Sequence, residues 1–229
     1  MNSGKMLPYR LFVKFYSPLI LYHRITLDAI LAYCIATRLN RSKGTFCLPQ
    51  QIQGSDTKIK HDLSKIIEHK TSFSPVPMAS YFQPLGSTTE YLDSWKKRFE
   101  SKYSHLADFG KAKRQVDTGS GKYRSYNMPL PAVVANMGFF AFIGDGLKVL
   151  DLLEKHIVSI GKKRSAGFGW IDKMEIREGH YTCFDIAGMR PIPKNIAEKN
   201  KITGMPSYCA WRSPYWLRKN ICECVVPAS

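Results

Sequence analysis

Between residues 137 and 176 the sequence passes through three textures in a fixed order. Met137-Gly138-Phe139-Phe140-Ala141-Phe142-Ile143 is an unbroken apolar run closed by Gly144-Asp145-Gly146, which reads as a buried strand. Leu147, Leu150, Leu153, Glu154 and Ile157 then recur at helical spacing, so a helix is expected from Leu147 to about Ser159, with Gly161 ending it. After a nine-residue segment, Gly161 to Gly169, a second strand is expected over Trp170 to Ile176, with Trp170, Met174 and Ile176 facing the core. Strand, helix, glycine loop, strand is a strong constraint, because the helix must fold back over the sheet to join two strands of it.

The N-terminal segment opens the same way. Tyr9, Leu11, Val13 and Phe15 alternate with polar neighbours, and Ser17-Pro18 is expected to stop that strand. A helix follows from Ile25-Thr26-Leu27-Asp28 to about Leu39. Thr26 is the expected N-cap, and Asp28 suits the positive end of the helix dipole. Leu27, Ile30, Leu31, Cys34, Ile35 and Leu39 form its apolar stripe. Two strand–helix openings around a variable middle fit the βαβ-βαβ order, so the expected class is α+β with a ferredoxin-like, RRM-like core. Such a fold leaves one sheet face, or the loops around it, free for RNA.

The middle is less regular. A short helix is expected over Lys58–Lys70 and a strand over Met78–Pro84. Residues 96–124 hold nine cationic residues (Lys96, Lys97, Arg98, Lys102, Lys111, Lys113, Arg114, Lys122, Arg124) against Glu100, Asp108 and Asp117. Tyr103, Phe109, Tyr123 and Tyr126 are interleaved, the pattern that tracks a phosphate backbone while stacking splayed bases. A solvated surface loop has the same composition. Gly119-Ser120-Gly121 reads as a turn. The expected layout is one domain over 1–229: a first β–α half at 8–40, a basic insertion at 80–128, a β–α–β half at 136–177, and a C-terminal extension at 180–229 without clear period.

Charge gives the middle its meaning. The chain of 229 residues carries 34 Lys+Arg against 18 Asp+Glu, a net +16, which points to a polyanion partner. With 44% hydrophobic residues it can bury a core, so wholesale disorder is excluded. No long apolar run suggests a membrane span or a secretory leader, so a cytoplasmic protein with no membrane partner and free thiols is expected. Cys222 and Cys224 stand as CxC without a second ligand pair, so no metal and no cofactor is expected.

The sharpest element is the loop Gly161-Lys162-Lys163-Arg164-Ser165-Ala166-Gly167-Phe168-Gly169. Its glycines permit left-handed backbone, its bare N–H groups suit an anion nest, and its three cations add charge. It is neither a Walker A loop nor a dinucleotide loop, since both GxxxxGK[ST] and GxGxxG are absent. Phe168 either stacks on a base or packs inward. A basic β-turn whose glycines serve geometry alone fits the same residues.

A glycine-rich basic loop between the second helix and last strand of a ferredoxin-like fold resembles the signature of the RAMP superfamily of CRISPR-associated RNA-binding proteins. The segments Ile25–Ala32, Gly119–Tyr126, Met128–Pro131 and Pro214-Tyr215-Trp216 are similar to the Cas-five-type subunit of type IV CRISPR effector complexes, over about 8–220. The resemblance implies a non-catalytic subunit. It would bind the 5′ handle of CRISPR RNA, cap the backbone subunits, and adjoin the large subunit and target DNA near the PAM. The basic insertion would be its thumb. The implied RNA-binding residues are Lys162, Lys163, Arg164, Ser165, Gly167, Phe168, Gly169, His23, Arg24, Lys111, Lys113, Arg114, Lys122, Tyr123 and Arg124.

Two alternatives stay open. Some RAMP proteins cleave precursor RNA without metal, and His23 beside Arg24 is the candidate general base for that. A stand-alone RRM-like RNA-binding protein is the other. Trp211, Tyr215 and Trp216, set among Arg212, Arg218 and Lys219, would stack on nucleic acid, dock on a neighbouring subunit, or pack under the sheet.

Overall fold

The computed structural model describes residues 6–21, 24–41, 55–106, 117–215 and 217–227. Strand β1 (Leu7–Leu21) buries Leu11, Val13 and Phe15 and exposes Arg10, Lys14 and Tyr16, as alternation requires. It does not stop at Ser17-Pro18. The register against its neighbour shifts between Lys14 and Leu19, so the pair is absorbed in a bulge and Leu19 and Ile20 return to the core. Pro18, with no N–H to give, uses its carbonyl to accept from Gly169 N at 3.0 Å.

Helix α1 (Leu27–Arg41) buries the expected stripe. Thr26 serves differently from the expected cap: its hydroxyl donates to Tyr215 Oη at 2.7 Å, and its backbone bridges to Tyr81. Helix α2 (Ser55–Ser64) is shorter than the expected 58–70. Ser64 Oγ donates to the His61 carbonyl at 2.8 Å, and Ile66 and Ile67 leave the helix while remaining buried. The expected strand at 78–84 shrinks to β2 (Gln83–Pro84) with isolated bridges at Ala79 and Tyr81. Its earlier carbonyls, Pro77 and Ala79, accept from the Arg190 guanidinium instead of joining a longer ladder.

Strands β3 (Thr89–Lys97) and β4 (Tyr126–Gly144) follow, then helix α3 (Gly146–His156) and strand β5 (Ile171–Glu178). Asp145 caps α3 by accepting from Lys148 N at 3.2 Å. The helix ends at His156, short of Gly161, because Ile157 turns extended and Ser159 pairs with Trp170. Its buried residues are Gly146, Val149, Leu152 and Leu153, whereas Leu147 is 83% exposed, so the expected stripe is out of phase at its first turn. His156, in the last turn of the helix, is half-buried.

The main sheet is antiparallel throughout, in the order β2–β4–β1–β5. β2 and β3 pair successive lengths of one edge of β4, at 138–139 and 126–134. α1 and α3 cover one face, where Phe140 and Phe142 of β4 meet Leu31, Ile35, Val149 and Leu153. The C-terminal extension, expected without clear period, is built of short elements. Its elements are α4 (Cys183–Ala187), β6 (Ile192–Pro193), α5 (Lys194–Lys199), β7 (Met205–Ala210) and β8 (Ile221–Val226), with a second sheet β6–β8–β7. This layer packs Ile186, Ile192, Trp211 and Cys224 around Ala141, on the opposite face of β4 from the helices. The half of that face formed by β1 and β5 contributes nothing to this second core. Among the described residues no helix is long and apolar enough to cross a membrane.

Candidate nucleic-acid interface

The glycine loop is fixed by its two ends. Gly161 (φ 94°) and Gly169 (φ 69°) are left-handed, and each lies against backbone. A Cβ at Gly161 would stand 2.8 Å from the Ile20 carbonyl oxygen, and one at Gly169 only 1.9 Å from the Ile160 oxygen. Lys162 N donates to Ile20 O at 3.1 Å and Gly169 N to Pro18 O at 3.0 Å, so the loop is sewn to the second half of β1. Between these ties a single 3₁₀ turn, Arg164–Ala166, stands out from the surface. Lys163 enters it at φ 56°, an unusual setting for a side-chain-bearing residue. Lys162, Arg164 and Ser165 are exposed and Lys163 is half-buried. The Arg164 guanidinium lies 5.9 Å from the Tyr33 ring of α1. Phe168 takes the inward option, half-buried against Ile20 and Ala132.

Ala132 belongs to the root of a projecting arm. β1 pairs β4 only as far as Val133, while β3 continues along β4 to Tyr126. The seven residues from Tyr126 to Ala132 therefore carry a two-stranded ribbon on the order of 20 Å beyond the end of β1. Lys96, Lys97 and Arg98 sit at its far end with Ser125, Tyr126 and Asn127, around a cavity of about 490 Å³. Asp117 orders the return by accepting from Gly119 N at 2.8 Å, and a 3₁₀ turn at Gly121–Tyr123 leads into β4. Tyr123 is half-buried edge-on to Phe99, with centroids 5.3 Å apart, and Arg124 is exposed. The loop and the arm thus meet at one place, with Phe168 as the joint.

This pairing of loop and arm can be compared with known families. A family model for the CRISPR type IV associated protein Csf3 matches residues 8–227. The chain belongs to the Csf3 family. No curated protein matches it significantly. The family match runs from β1 to the end of β8, so the arm and the C-terminal layer both lie inside the family's unit.

Within this Csf3-family chain only some of the other expected site residues are described. His23, Lys111, Lys113 and Arg114 lie outside the described residues, as does Trp216. Lys122 lies in the 3₁₀ turn at the arm. Arg24 is committed to the C-terminal end: it donates to the Pro227 carbonyl at 3.2 Å and its guanidinium lies 5.4 Å from the Tyr81 ring. Trp211 is buried in the second core, the packing option of the three considered. Trp170, expected in the core, is instead 52% exposed. Cys222 and Cys224 lie 3.7 Å apart on β8, and no His/Cys/Asp/Glu group suited to a metal occurs among the described residues.

Sequence reasoning missed one buried polar centre. Arg190 and Asp28 are both fully buried, with Nη1 to Oδ1 at 3.5 Å. Arg190 also donates to the carbonyls of Ala79 (2.8 Å) and Trp211 (2.5 Å), while Asp28 accepts from Ser213 Oγ (3.2 Å) and Tyr215 Oη (3.0 Å). Asp28, read from sequence as a helix-dipole residue, is thus the anchor of the C-terminal layer. A lone Arg in Gly188-Met189-Arg190-Pro191 gave no spacing signal that could have revealed it.

Proposed function

We propose that this chain is a non-catalytic RNA-binding subunit of a type IV CRISPR effector complex. It holds the 5′ handle of the CRISPR RNA, caps the backbone subunits, and adjoins the large subunit and the PAM end of target DNA. The observation that carries this reading is the glycine loop: a rigid left-handed turn that presents Lys162 and Arg164 outward at the root of a basic arm. Family membership supports the complex. A ferredoxin-like core is supported by the antiparallel order β2–β4–β1–β5 with two helices on one face. The arm serves as the thumb, and its cations suit phosphates.

The test is a titration of repeat-derived RNA against the full chain at several salt concentrations. K162A/K163A/R164A removes up to three phosphate contacts, so the slope of log K against log salt should flatten by about 2 for a single strand. Unchanged affinity and slope would reduce the loop to a turn. Handle-specific cleavage that disappears in His23→Ala would replace the subunit reading with an endoribonuclease.

A further inference from the structure

The C-terminal layer leaves the β1–β5 half of the outer sheet face open, and the residues there follow a pattern that folding does not explain. Reading across the two strands, Arg10 stands opposite Arg177, Phe12 opposite Glu175, and Lys14 opposite Lys173. Two like-charge pairs placed directly opposite destabilise a sheet. Local carboxylates relieve them only in part: Glu175 pairs with Arg177 (2.7 Å) and Lys173 (3.2 Å), and Asp172 with Lys14 (2.8 Å). Four cations thus face two anions; Arg10 is held against Phe139 and Tyr181 at the border of the C-terminal layer, and Lys14, Lys173 and Arg177 lie on the open part of the face.

The row ends in two large rings. Phe15 pairs with Ile171, which puts Tyr16 opposite Trp170, and Tyr16 N donates to Trp170 O at 2.8 Å. Tyr16 is 79% exposed and Trp170 52%. Among the described residues neither ring packs on another ring, whereas Phe12 is covered by the Arg177 guanidinium at 5.0 Å. Their backbone is fixed, since Trp170 N also donates to Ser17 Oγ at 3.0 Å. Trp170 directly follows Gly169, so both rings lie at the mouth of the glycine loop.

We propose that Tyr16 and Trp170 form the base-stacking platform of the RNA track: unpaired bases leaving the glycine loop stack on these two rings, and Lys14 and Lys173 face the accompanying phosphates. The proposal rests on the RNA-binding reading above and adds to it the site on which the unpaired bases of the strand would stack. Flat rings beside cations are what sequence-tolerant single-strand binding uses. A protein partner at the same patch would need its own carboxylates to face Lys14 and Lys173.

The experiment uses the full chain and three fluorescein-labelled probes: a mixed-sequence 12-nucleotide RNA, its duplex, and an abasic strand of the same length. The unmodified chain should bind the single strand best and the abasic strand about as weakly as the double-ring variant does. Tyr16→Ala and Trp170→Ala should each weaken single-strand binding about tenfold, with the salt slope unchanged, and Trp170→Phe should restore most of the loss. Trp170 is about half covered and the Tyr16 hydroxyl hydrogen-bonds Asp172, so both Ala variants should lose a few degrees of Tm; binding is therefore measured well below each Tm, and Trp170→Phe, which keeps most of the covered surface, separates lost stacking from lost structure. Equal affinity of the ring variants for the single strand, alongside a weakened K162A/K163A/R164A, overturns the platform and leaves the RNA reading intact. Loss of partner-subunit binding in the ring variants with RNA affinity intact also overturns it. An unmodified chain that binds none of the probes overturns both.

Discussion

Gly169→Ala is the sharpest test of the loop, because its consequences are fixed by geometry. The new Cβ would lie 1.9 Å from the Ile160 carbonyl oxygen, a backbone atom that no rotamer change can move. The loop end must shift, which breaks the Gly169 N to Pro18 O bond (3.0 Å) and the Ile160 N to Gly169 O bond (2.9 Å). Each is worth about 1 kcal/mol net. The left-handed φ of 69° adds about 1–2 kcal/mol for an alanine. The stiffer unfolded chain returns up to about 1 kcal/mol. The loss is therefore about 3 kcal/mol, or on the order of 10 °C in Tm for a chain of this size. Gly167→Ala is the matched control: the same left-handed class (φ 88°) but nothing within 4 Å of the Cβ. It should cost about 1 kcal/mol and about 3 °C. Differential scanning calorimetry reads both shifts. RNA titration well below either Tm should find Gly167→Ala near wild type and Gly169→Ala weakened, with a shallower salt slope. Equal behaviour of the two variants would refute the claim that the loop's ends, and not its composition, set where the cations stand.

Three further outcomes follow from the buried groups. Arg190→Leu leaves the Asp28 carboxylate buried without its cation and should cost about 3–5 kcal/mol; in a double-mutant cycle with Asp28→Asn the two losses should fall well short of additive, and additive losses in chemical denaturation would break the pairing. Burial holds the His69 ring below the usual histidine range while its Nδ1 contacts the Ile67 carbonyl at 2.6 Å. The unfolded chain therefore takes up that proton more readily, so stability is full above about pH 6.5 and falls below it. His69→Asn, which can still donate to Ile67, should flatten that decline in urea midpoints between pH 7 and 5; an unchanged decline would assign it elsewhere. A contact with Cys224 lowers the Cys209 thiol below the usual thiol range, whereas burial raises Cys34 to about 12. Iodoacetamide at pH 7.5 should label Cys209 well before Cys34, read by peptide mass spectrometry, and equal rates would refute the assignment.

The sequence made the main sheet legible where period and burial agreed. Alternation in β1 and the apolar stripe of α1 needed no tertiary knowledge, because Leu11, Val13, Leu31 and Ile35 are core residues whichever partner covers them. Boundaries failed where a partner decided them. Ser17-Pro18 looks like a stop, yet Gly169 N donates to the Pro18 carbonyl and Trp170 N to Ser17 Oγ, which hold the pair in a bulge. Ile66 and Ile67 sit in phase with α2 but are buried against β4 instead. The C-terminal layer was illegible because its elements are short, five or six residues for the most part, too few to show a period. One local signal was there to be read: Thr182 and Asp185 form a capping box, with Asp185 N donating to Thr182 Oγ1 at 3.2 Å.

The same layer decides which part of the sheet is available to a ligand. Phe139, Ala141 and Ile143 lie on the outer side of β4, and without cover they would form an apolar strip beside the aromatic-cationic row of β1. The layer takes them into its own core, and the Arg190–Asp28 pair ties it to the first turn of α1. A buried pair is a poor source of net stability. What it does well here is position, since Asp28 can satisfy Ser213, Tyr215 and Arg190 together only in one placement of the tail. The open half of the face is then bounded on one side by Arg10, held against Phe139 and Tyr181, and at its far end by Tyr16, Trp170 and the glycine loop. A surplus of +16 spread evenly would attract any polyanion. The share of it on the β1–β5 row, four cations against two anions, lies in a strip two strands wide, closed by protein along β4 and leading from exposed rings to the loop; on the proposed reading that shape suits a single strand better than the broad backbone of a duplex.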